Sequence, residues 1–450
     1  MNIIKQIRNS ELGVNVAVLM TGNGLSQIFV LLISPVITRL FTTAEIGIYA
    51  TFISIINISA VISSGRYENA VVIAKNEKEA INVFALSFLL SLIVSAILLV
   101  GITILFYANY SFLGSEISQL WIFLIPFFNL LFSNYTLLRF YALRNKDYKH
   151  ISASMPAESI VNGGLSMLMG WLFGGAWTLI VAGVISKIIA VYVILKSSIV
   201  SISKNLNLVN LNEIKTVAKT HYKFPVFDTP NALLYTFGQQ GVIIFLSKLF
   251  NESITGVYSY TNRILLTPIQ FFSSSFTQVM YQKLSEVRNT NTDDYFRLIN
   301  KATNNMFYYL IVPYSIFVFT AKYYVPFIFG ENWIELYKYM YVLAPYSMLI
   351  LVSAAFTNVF KIDNKQDVAL VLKVIFVVSR IGIIILGASL QWSILKTLLS
   401  FSIVSVLSNL VSYFVYYYQM KTKIPHSILS FILVSFVVYL SLFYYFNIEL

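Results

Sequence analysis

The sequence predicts an all-α polytopic membrane protein: two six-helix lobes related by a pseudo-two-fold axis along the membrane normal, plus an extra C-terminal span. Three observations lead there. Only 11% of the 450 residues are charged and 58% are hydrophobic, whereas a soluble domain carries about 25% charged residues to hold its surface in water. Apolar runs long enough to cross about 30 Å of hydrocarbon as helices recur along the whole chain. A turn is also written twice: TRLFTTAEIGIYA at 38–50 returns as SKLFNESITGVYS at 247–259, with a base, Arg39 or Lys248, before each Leu-Phe.

The elements follow in order. The N-terminal MNIIKQIRNSELG is short and basic, and the run behind it holds Asn23 and Gln27 without a small-residue cleavage site. It reads as a retained first span, not a signal peptide. Spans are expected at 14–38, 45–65, 80–107, 117–141, 151–173, 176–198, 226–250, 256–281, 303–329, 334–360, 367–389, 392–418 and 426–446. Odd connectors are short and poor in Lys and Arg, as in YANYSFLGSE, GGAW, FGENW and LQWS. Even ones are longer and basic, as in RYENAVVIAKNEKEA, LRNKDYKH and QKLSEVRNTNTDDYFRLINK. Positive-inside bias places the N-terminus and every even connector in the cytoplasm. That distribution accounts for most of the net charge of +12 without nucleic acid as a partner. The odd thirteenth span leaves the C-terminal NIEL outside.

The two copies of the turn lie between spans 1 and 2 and between spans 7 and 8. An even number of spans separates them, so the halves share one orientation, as in parallel repeats. The expected organisation is an N-terminal six-helix lobe at 1–198, a cytoplasmic inter-lobe linker at 199–225, a C-terminal six-helix lobe at 226–418, and an additional transmembrane segment at 419–450.

The chain has no cysteine, which excludes disulfides, thiolate nucleophiles and Cys-ligated zinc. His150, His221 and His426 lie far apart in polar connectors, so no metal site is expected. Ionisable groups inside a bilayer are costly and face a cavity or a partner. Lys187 falls at the middle of span 6 and Arg380 near the middle of span 11, with Lys373 and Gly387 seven residues to either side on the same face. Arg263 lies about two turns inside span 8, and Arg139 near the cytoplasmic end of span 4. The deep acids are Glu158 in span 5 and Asp228 in span 7, so the interior is expected to be net cationic. Asp228 has two readings: ion coupling, or neutralising a base such as Lys223 or Lys187.

Arg39, Lys248 and Lys322 lie near the outer surface, where they can snorkel to headgroups. Polar stripes mark span 1 (Asn23, Gln27, Ser34, Thr38) and span 7 (Asp228, Asn231, Tyr235, Gln239). They serve either as interhelical hydrogen-bond glue or as facing walls of a cleft between the lobes. Gly163, Gly164, Gly170 and Gly174 of span 5 are candidates for close helix packing. Intramembrane prolines, among them Pro35, Pro126, Pro230, Pro268, Pro313 and Pro345, are candidate bends.

Four segments, SPVITRLFTTAEIGIYA, GRYENAVVIAKNEKEA, YKFPVFDTPNALL and GVYSYTNRILLTPIQ, resemble the Wzx-type polysaccharide flippases of the MATE-like multidrug/oligosaccharidyl-lipid/polysaccharide exporter superfamily. The resemblance covers essentially the whole chain. It implies a transporter, not an enzyme, in the bacterial cytoplasmic (inner) membrane. Its substrate would be an undecaprenyl-pyrophosphate-linked oligosaccharide, an O-antigen or similar surface unit, moved from the inner to the outer leaflet by alternating access. A cationic cavity would hold the pyrophosphate. The family's basic cavity residues map onto Arg39, Arg66, Lys187, Arg263 and Arg380, and Lys373 shares the face of Arg380. Asp228 and Glu158 are the candidates for coupling to H+ or Na+, and no other cofactor is implied. The partners implied are the lipid-linked substrate, membrane lipids and other polysaccharide-assembly membrane proteins. The thirteenth span departs from the family's even count.

Three rivals make different demands. A cation-coupled multidrug exporter of the same superfamily should carry buried carboxylates for cationic drugs, and here bases outnumber them. A membrane-embedded polysaccharide polymerase or ligase needs a sizeable external loop, and these external connectors are short. A major facilitator would carry Gly-x-x-x-Asp-Arg/Lys in connector 2–3, where it is missing.

Overall fold

The computed structural model describes residues 11–108, 120–288, 292–353, 356, 359–363, 365–422 and 424–446. Residues 1–10, most of the second external connector (109–119) and the C-terminal NIEL lie outside them. Among the described residues every regular element is helical. Contacts divide the chain into Met1–Glu252 and Ser253–Leu450.

The first unit contains α1 (Glu11–Leu40), α2 (Thr43–Ser63), the short α3 (Glu68–Ile73), α4 (Glu77–Tyr107), α5 (Leu124–Arg144), α6 (Tyr148–Leu172), α7 (Ala176–Asn205), α8 (Leu211–Thr220) and α9 (Thr229–Leu249). The second contains α10 (Glu252–Arg288, whose first residue closes the first unit), α11 (Thr292–Phe319), α12 (Ala321–Phe329), α13 (Leu336–Val352), α14 (Val359–Ile362), α15 (Gln366–Ser389), α16 (Ile394–Gln419) and α17 (His426–Tyr445). Every expected span overlaps one of the long helices. Seven of these are long and apolar enough on composition alone to cross a membrane, and the bent pair α11–α12 makes an eighth. That pair bends by 60° at Thr320, where amide and hydroxyl both donate to the Ile316 carbonyl (3.0 and 2.7 Å) and close the first helix.

The repeated turn makes the same object twice. Leu40 ends α1 and Leu249 ends α9, and in both copies the next helix starts after a break of two residues. In the first copy Thr42 caps α2: its hydroxyl accepts from the Glu45 amide (3.3 Å) while Glu45 Oε2 accepts from the Thr42 amide (2.7 Å). Two orphan amides are thus satisfied reciprocally, an exchange that contributes about 1 kcal/mol.

In the first unit, Ile48, Phe52 and Ile56 of α2 pack against Ile125 and Phe128 of α5 and Ile180 of α7. The helix expected to open the second lobe, α9, packs on α2, with Ser54 Oγ donating to Gln240 Oε1 at 2.9 Å. The 199–225 connector is strapped down. Asn82 bonds both Leu208 and Asn210 (3.0 Å each), Tyr67 Oη donates to the Ala218 carbonyl (3.1 Å), and Lys78 pairs with Glu213 (2.7 Å).

The second unit is held by aromatic packing of Tyr346, Phe356, Tyr413, Tyr416 and Phe431, with Phe356 stacked on Tyr413 at 4.3 Å. Ile428 and Phe431 of α17 lie in this core. The extra span is therefore an integral wall of the unit.

The expected glycine packing holds in part. A Cβ on Gly163 would meet Phe29 and Ile33 at 2.8 Å, and one on Gly170 would meet Phe41 at 2.5 Å, so α6 lies close against α1 and its turn. Gly164 faces open space, and Gly174 serves the turn instead, at φ +63° beside Gly175 at +84°. Leu32, Val36, Ile93, Ile97, Val378 and Leu433 stand exposed on long apolar helices, a surface that suits hydrocarbon and would aggregate in water.

Candidate functional site

Two of the sequence segments meet. After α2 the chain takes two left-handed residues, Gly65 (φ 56°) and Arg66 (φ 60°). Glycine adopts this freely, whereas arginine does so at a cost of about 1–2 kcal/mol. The turn carries the Arg66 side chain to residues 224–228, a single π-helical turn with Pro225 at its start, running into α9. Such turns are rare and concentrate at functional sites. Arg66 Nε donates to Asp228 Oδ2 at 3.1 Å, and Asn69 Nδ2 donates to the same oxygen at 2.9 Å. Arg66 Nη1 also reaches Glu68 Oε1 at 3.4 Å. Glu68 is buried, and its second oxygen accepts from the Ser64 hydroxyl. Burial pushes the Glu68 carboxyl above the usual carboxylate range.

This joint corrects one expectation and adds to another. The base neutralised by Asp228 is Arg66, brought from the α2–α3 turn, and neither Lys223 nor Lys187. Glu68 was not among the sequence candidates. The signal for it was an acid two residues after a base in GRYENA, which periodicity cannot distinguish from an ordinary polar connector.

A second pair lies within the helices. Lys187 of α7 meets Glu158 Oε1 of α6 at 2.5 Å. Lys187 is buried, and its ammonium sits 4.7 Å from the centre of the Phe132 ring and 4.5 Å from that of Tyr135. The Arg139 guanidinium lies 5.7 Å from the Tyr135 ring on the same cluster. Arg139 thus adds a second positive charge close to this pair. The sequence named both partners, but for different jobs.

Arg380 of α15 is fully buried in the second unit. Its guanidinium lies 4.9, 4.7 and 4.6 Å from the ring centres of Tyr346, Phe376 and Phe401. Among the described residues, Nε and both Nη atoms make no hydrogen bond of regular geometry, though the Tyr258 hydroxyl lies within reach, and the neighbouring Tyr346 hydroxyl has no partner. The Tyr258 hydroxyl is close enough to feel its charge. A cation caged by ring faces gains about 2 kcal/mol when desolvated, well short of what a carboxylate would give it.

The other expected bases sit differently. Arg39 is exposed in the last turn of α1 and Lys373 is half-buried on α15, and both are engaged by neighbours. Arg263 is exposed on α10. Lys248 and Lys322 are exposed near helix ends. The span 1 stripe turns inward on its own helix: Gln27 donates to Asn23 (3.2 Å), Ser34 to the Val30 carbonyl (2.9 Å) and Thr38 to that of Ser34 (3.2 Å). A further ion pair in the second unit, Arg288 with Asp363 at 2.6 Å, is completed by the Tyr295 and Tyr416 hydroxyls at 3.2 and 2.5 Å. Its acid is saturated, so it ties α10, α11, α14 and α16 together. No group of three or more metal-ligating side chains occurs among the described residues.

Helices of this length and order, with charged residues paired or caged inside them, define a multi-pass membrane protein, and solved structures identify its fold. The chain is similar to an inward-facing conformation of a multidrug resistance MATE family transporter of the MOP superfamily. That match has 15% identity and a TM-score of 0.66, over 90% of this chain and 96% of that one. An outward-facing conformation of such a transporter matches at 14% identity and a TM-score of 0.55, over 91% and 95%. A MATE in complex with MaL6 matches at 14% and 0.58, over 93% and 99%. A comparison with curated proteins found no match. The model of a family described as polysaccharide biosynthesis protein matches residues 36–338, well over half of the chain. The protein belongs to that family and has a MATE-like fold, as the four sequence segments led us to expect. The family links the chain to polysaccharide biosynthesis, and the solved structures give its fold.

Proposed function

We propose that the protein translocates a lipid-linked oligosaccharide, carried on undecaprenyl pyrophosphate, from the cytoplasmic to the outer leaflet of a bacterial inner membrane. Its N-terminus is cytoplasmic in this reading, and transport proceeds by alternating access. The observation that carries it is the charge imbalance inside the helices. Lys187 pairs with Glu158, the charge of Arg139 lies close to that pair, and Arg380 has no carboxylate partner among the described residues. A buried base without an acid costs at least about 2.5–3.5 kcal/mol in a bilayer, and an anionic diphosphate that engages it during the cycle offsets that cost. A cationic drug would raise the imbalance, which disfavours the multidrug reading.

The test is surface glycan export in cells carrying Arg380→Ala, with protein level and membrane insertion measured alongside. We expect export to be lost with normal protein levels. Arg380→Lys should impair export as well, because an ammonium lacks the planar fork that suits both ring faces and phosphate oxygens. Normal export by Arg380→Ala would overturn the role of this base. Vesicles holding the purified protein and a fluorescent lipid-linked oligosaccharide measure direction and substrate separately from the cell.

A further inference from the structure

The connector between α7 and α9 has one face packed and one face bare. We propose that the bare face of α8 and its flanks is a docking surface for anionic phospholipid. Lys204, Lys215, Lys219 and Lys223 engage the headgroup phosphates, and Leu206 and Leu211 reach the acyl chains beneath. This goes beyond the translocation reading, takes from it only the membrane, and holds whatever the substrate is.

The packed face is fixed by several contacts. Val217 is buried among Tyr67, Val71 and Val83. Asn82 accepts from the Asn210 amide and donates to the Leu208 carbonyl (3.0 Å each). Lys78 pairs with Glu213 at 2.7 Å, and Glu79 Oε1 meets the His221 ring at 2.8 Å. These partners on α4 run from residue 78 to 83, more than one turn, so α8 lies along the side of α4 and not beneath its end. With that face committed, the spacing i, i+4, i+8 brings Leu211, Lys215 and Lys219 together on another side of the helix, where all three are exposed.

The charge on that side has one sign. Between residues 199 and 227 the sequence holds a single acid, Glu213, and Lys78 already occupies it. Lys204, Lys215, Lys219 and Lys223 are all exposed. Leu206 is 57% and Leu211 72% exposed beside them. Bare leucines among lysines suit the boundary where headgroups meet acyl chains.

The depth of the segment agrees. α7 presents Ile199 and Val200 on its exposed surface, and Leu206 follows Val200 by about 9 Å of helix. The first exposed large apolar residues of α4 are Phe88 and Leu89, which begin about 8 Å beyond Val83. α8 therefore lies within about 10 Å of the hydrocarbon edge, the depth at which interfacial helices sit. Free phosphate would engage the lysines and leave the leucines in water. A phospholipid supplies phosphate and hydrocarbon together, which matches both residue types.

The chain has no cysteine, so Thr216→Cys, at an exposed position of α8, places one environment-sensitive fluorophore on the full-length protein. Phosphatidylglycerol titrated into the detergent-solubilised protein should shift the label to the blue, and phosphatidylcholine should not. Lys215→Gln with Lys219→Gln should raise the Kd for phosphatidylglycerol by about fivefold for each lysine. Lys146→Gln with Lys149→Gln removes the same charge from another exposed connector and should leave that Kd unchanged. In nanodiscs with brominated chains, phosphatidylglycerol should bring the label within reach of quenching, and Leu206→Ser with Leu211→Ser should reduce it. Three results would each overturn the proposal. One is a label that responds equally to the two lipids, and another is an equal loss in both lysine pairs, the mark of a general positive belt. The third is displacement of the lipid by inorganic phosphate. The readout needs no oligosaccharide, so its failure leaves the translocation reading standing, and normal export by Arg380→Ala leaves this titration standing.

Discussion

Glu158→Gln and Lys187→Met remove opposite ends of one buried pair, and the structure says that they will not cost the same. Glu158 is 27% exposed on its side chain and Lys187 only 6%. Removing the acid strands an ammonium where water does not reach, with the Phe132 and Tyr135 rings at 4.7 and 4.5 Å as its remaining support. Breaking a buried pair from one side costs about 3–5 kcal/mol, and two ring faces return about 1–2 of that. Glu158→Gln should therefore cost about 2–3 kcal/mol. Removing the base leaves a carboxylate that can turn to its exposed side. Lys187→Met should cost about 1 kcal/mol, and the double variant less than the sum, because neither stranded charge remains. The assay is reversible unfolding in mixed micelles, read as a double-mutant cycle. Equal costs for the two single variants, or a larger one for Lys187→Met, would refute the reasoning. If Lys187 also holds the substrate anion, Lys187→Met should lose export despite its milder effect on stability.

Two further outcomes are specific. Gly22 of α1 lies against Ser152 of α6 so closely that a Cβ would sit 2.8 Å from the Ser152 Cα; Gly22→Ala should cost about 1–3 kcal/mol, while Gly164→Ala, which meets nothing within 4 Å, should be neutral or slightly stabilising in the same unfolding assay. Asp147 caps α6 through the His150 amide (3.3 Å) and pairs with the His150 ring (2.8 Å). Burial alone would raise its carboxyl, but the Ser197 hydroxyl and His150 outweigh it and hold it below the usual range. A lowered carboxyl contributes stability above its unfolded value that is lost as pH falls through the folded one. Hydrogen exchange at the first turn of α6 should therefore accelerate at acid pH in wild type, and lose that dependence in Asp147→Asn.

The spans were legible in the sequence because hydrocarbon imposes length and apolarity locally, helix by helix, without reference to what packs against what. The repeated turn was legible for the same reason: Leu40 and Leu249 end helices through local backbone chemistry that a short motif can encode. The charged residues were legible only as single groups. Depth along a helix showed that Lys187, Arg380, Glu158 and Asp228 had to be compensated. Which partner compensates each depends on how helices rotate and cross, and no period in the sequence records that. Glu158 turns to Lys187, and Asp228 to an arginine more than 160 residues earlier in the chain. Arg380 was expected to face a cavity or a partner, and the structure buries it fully. A span with no acid in reach predicts an uncompensated base, and the structure supplies aromatic ring faces where a carboxylate would otherwise stand. That substitution has a physical consequence. A carboxylate partner would lock the arginine and would repel a phosphate, whereas a ring face holds a cation weakly, without opposing negative charge.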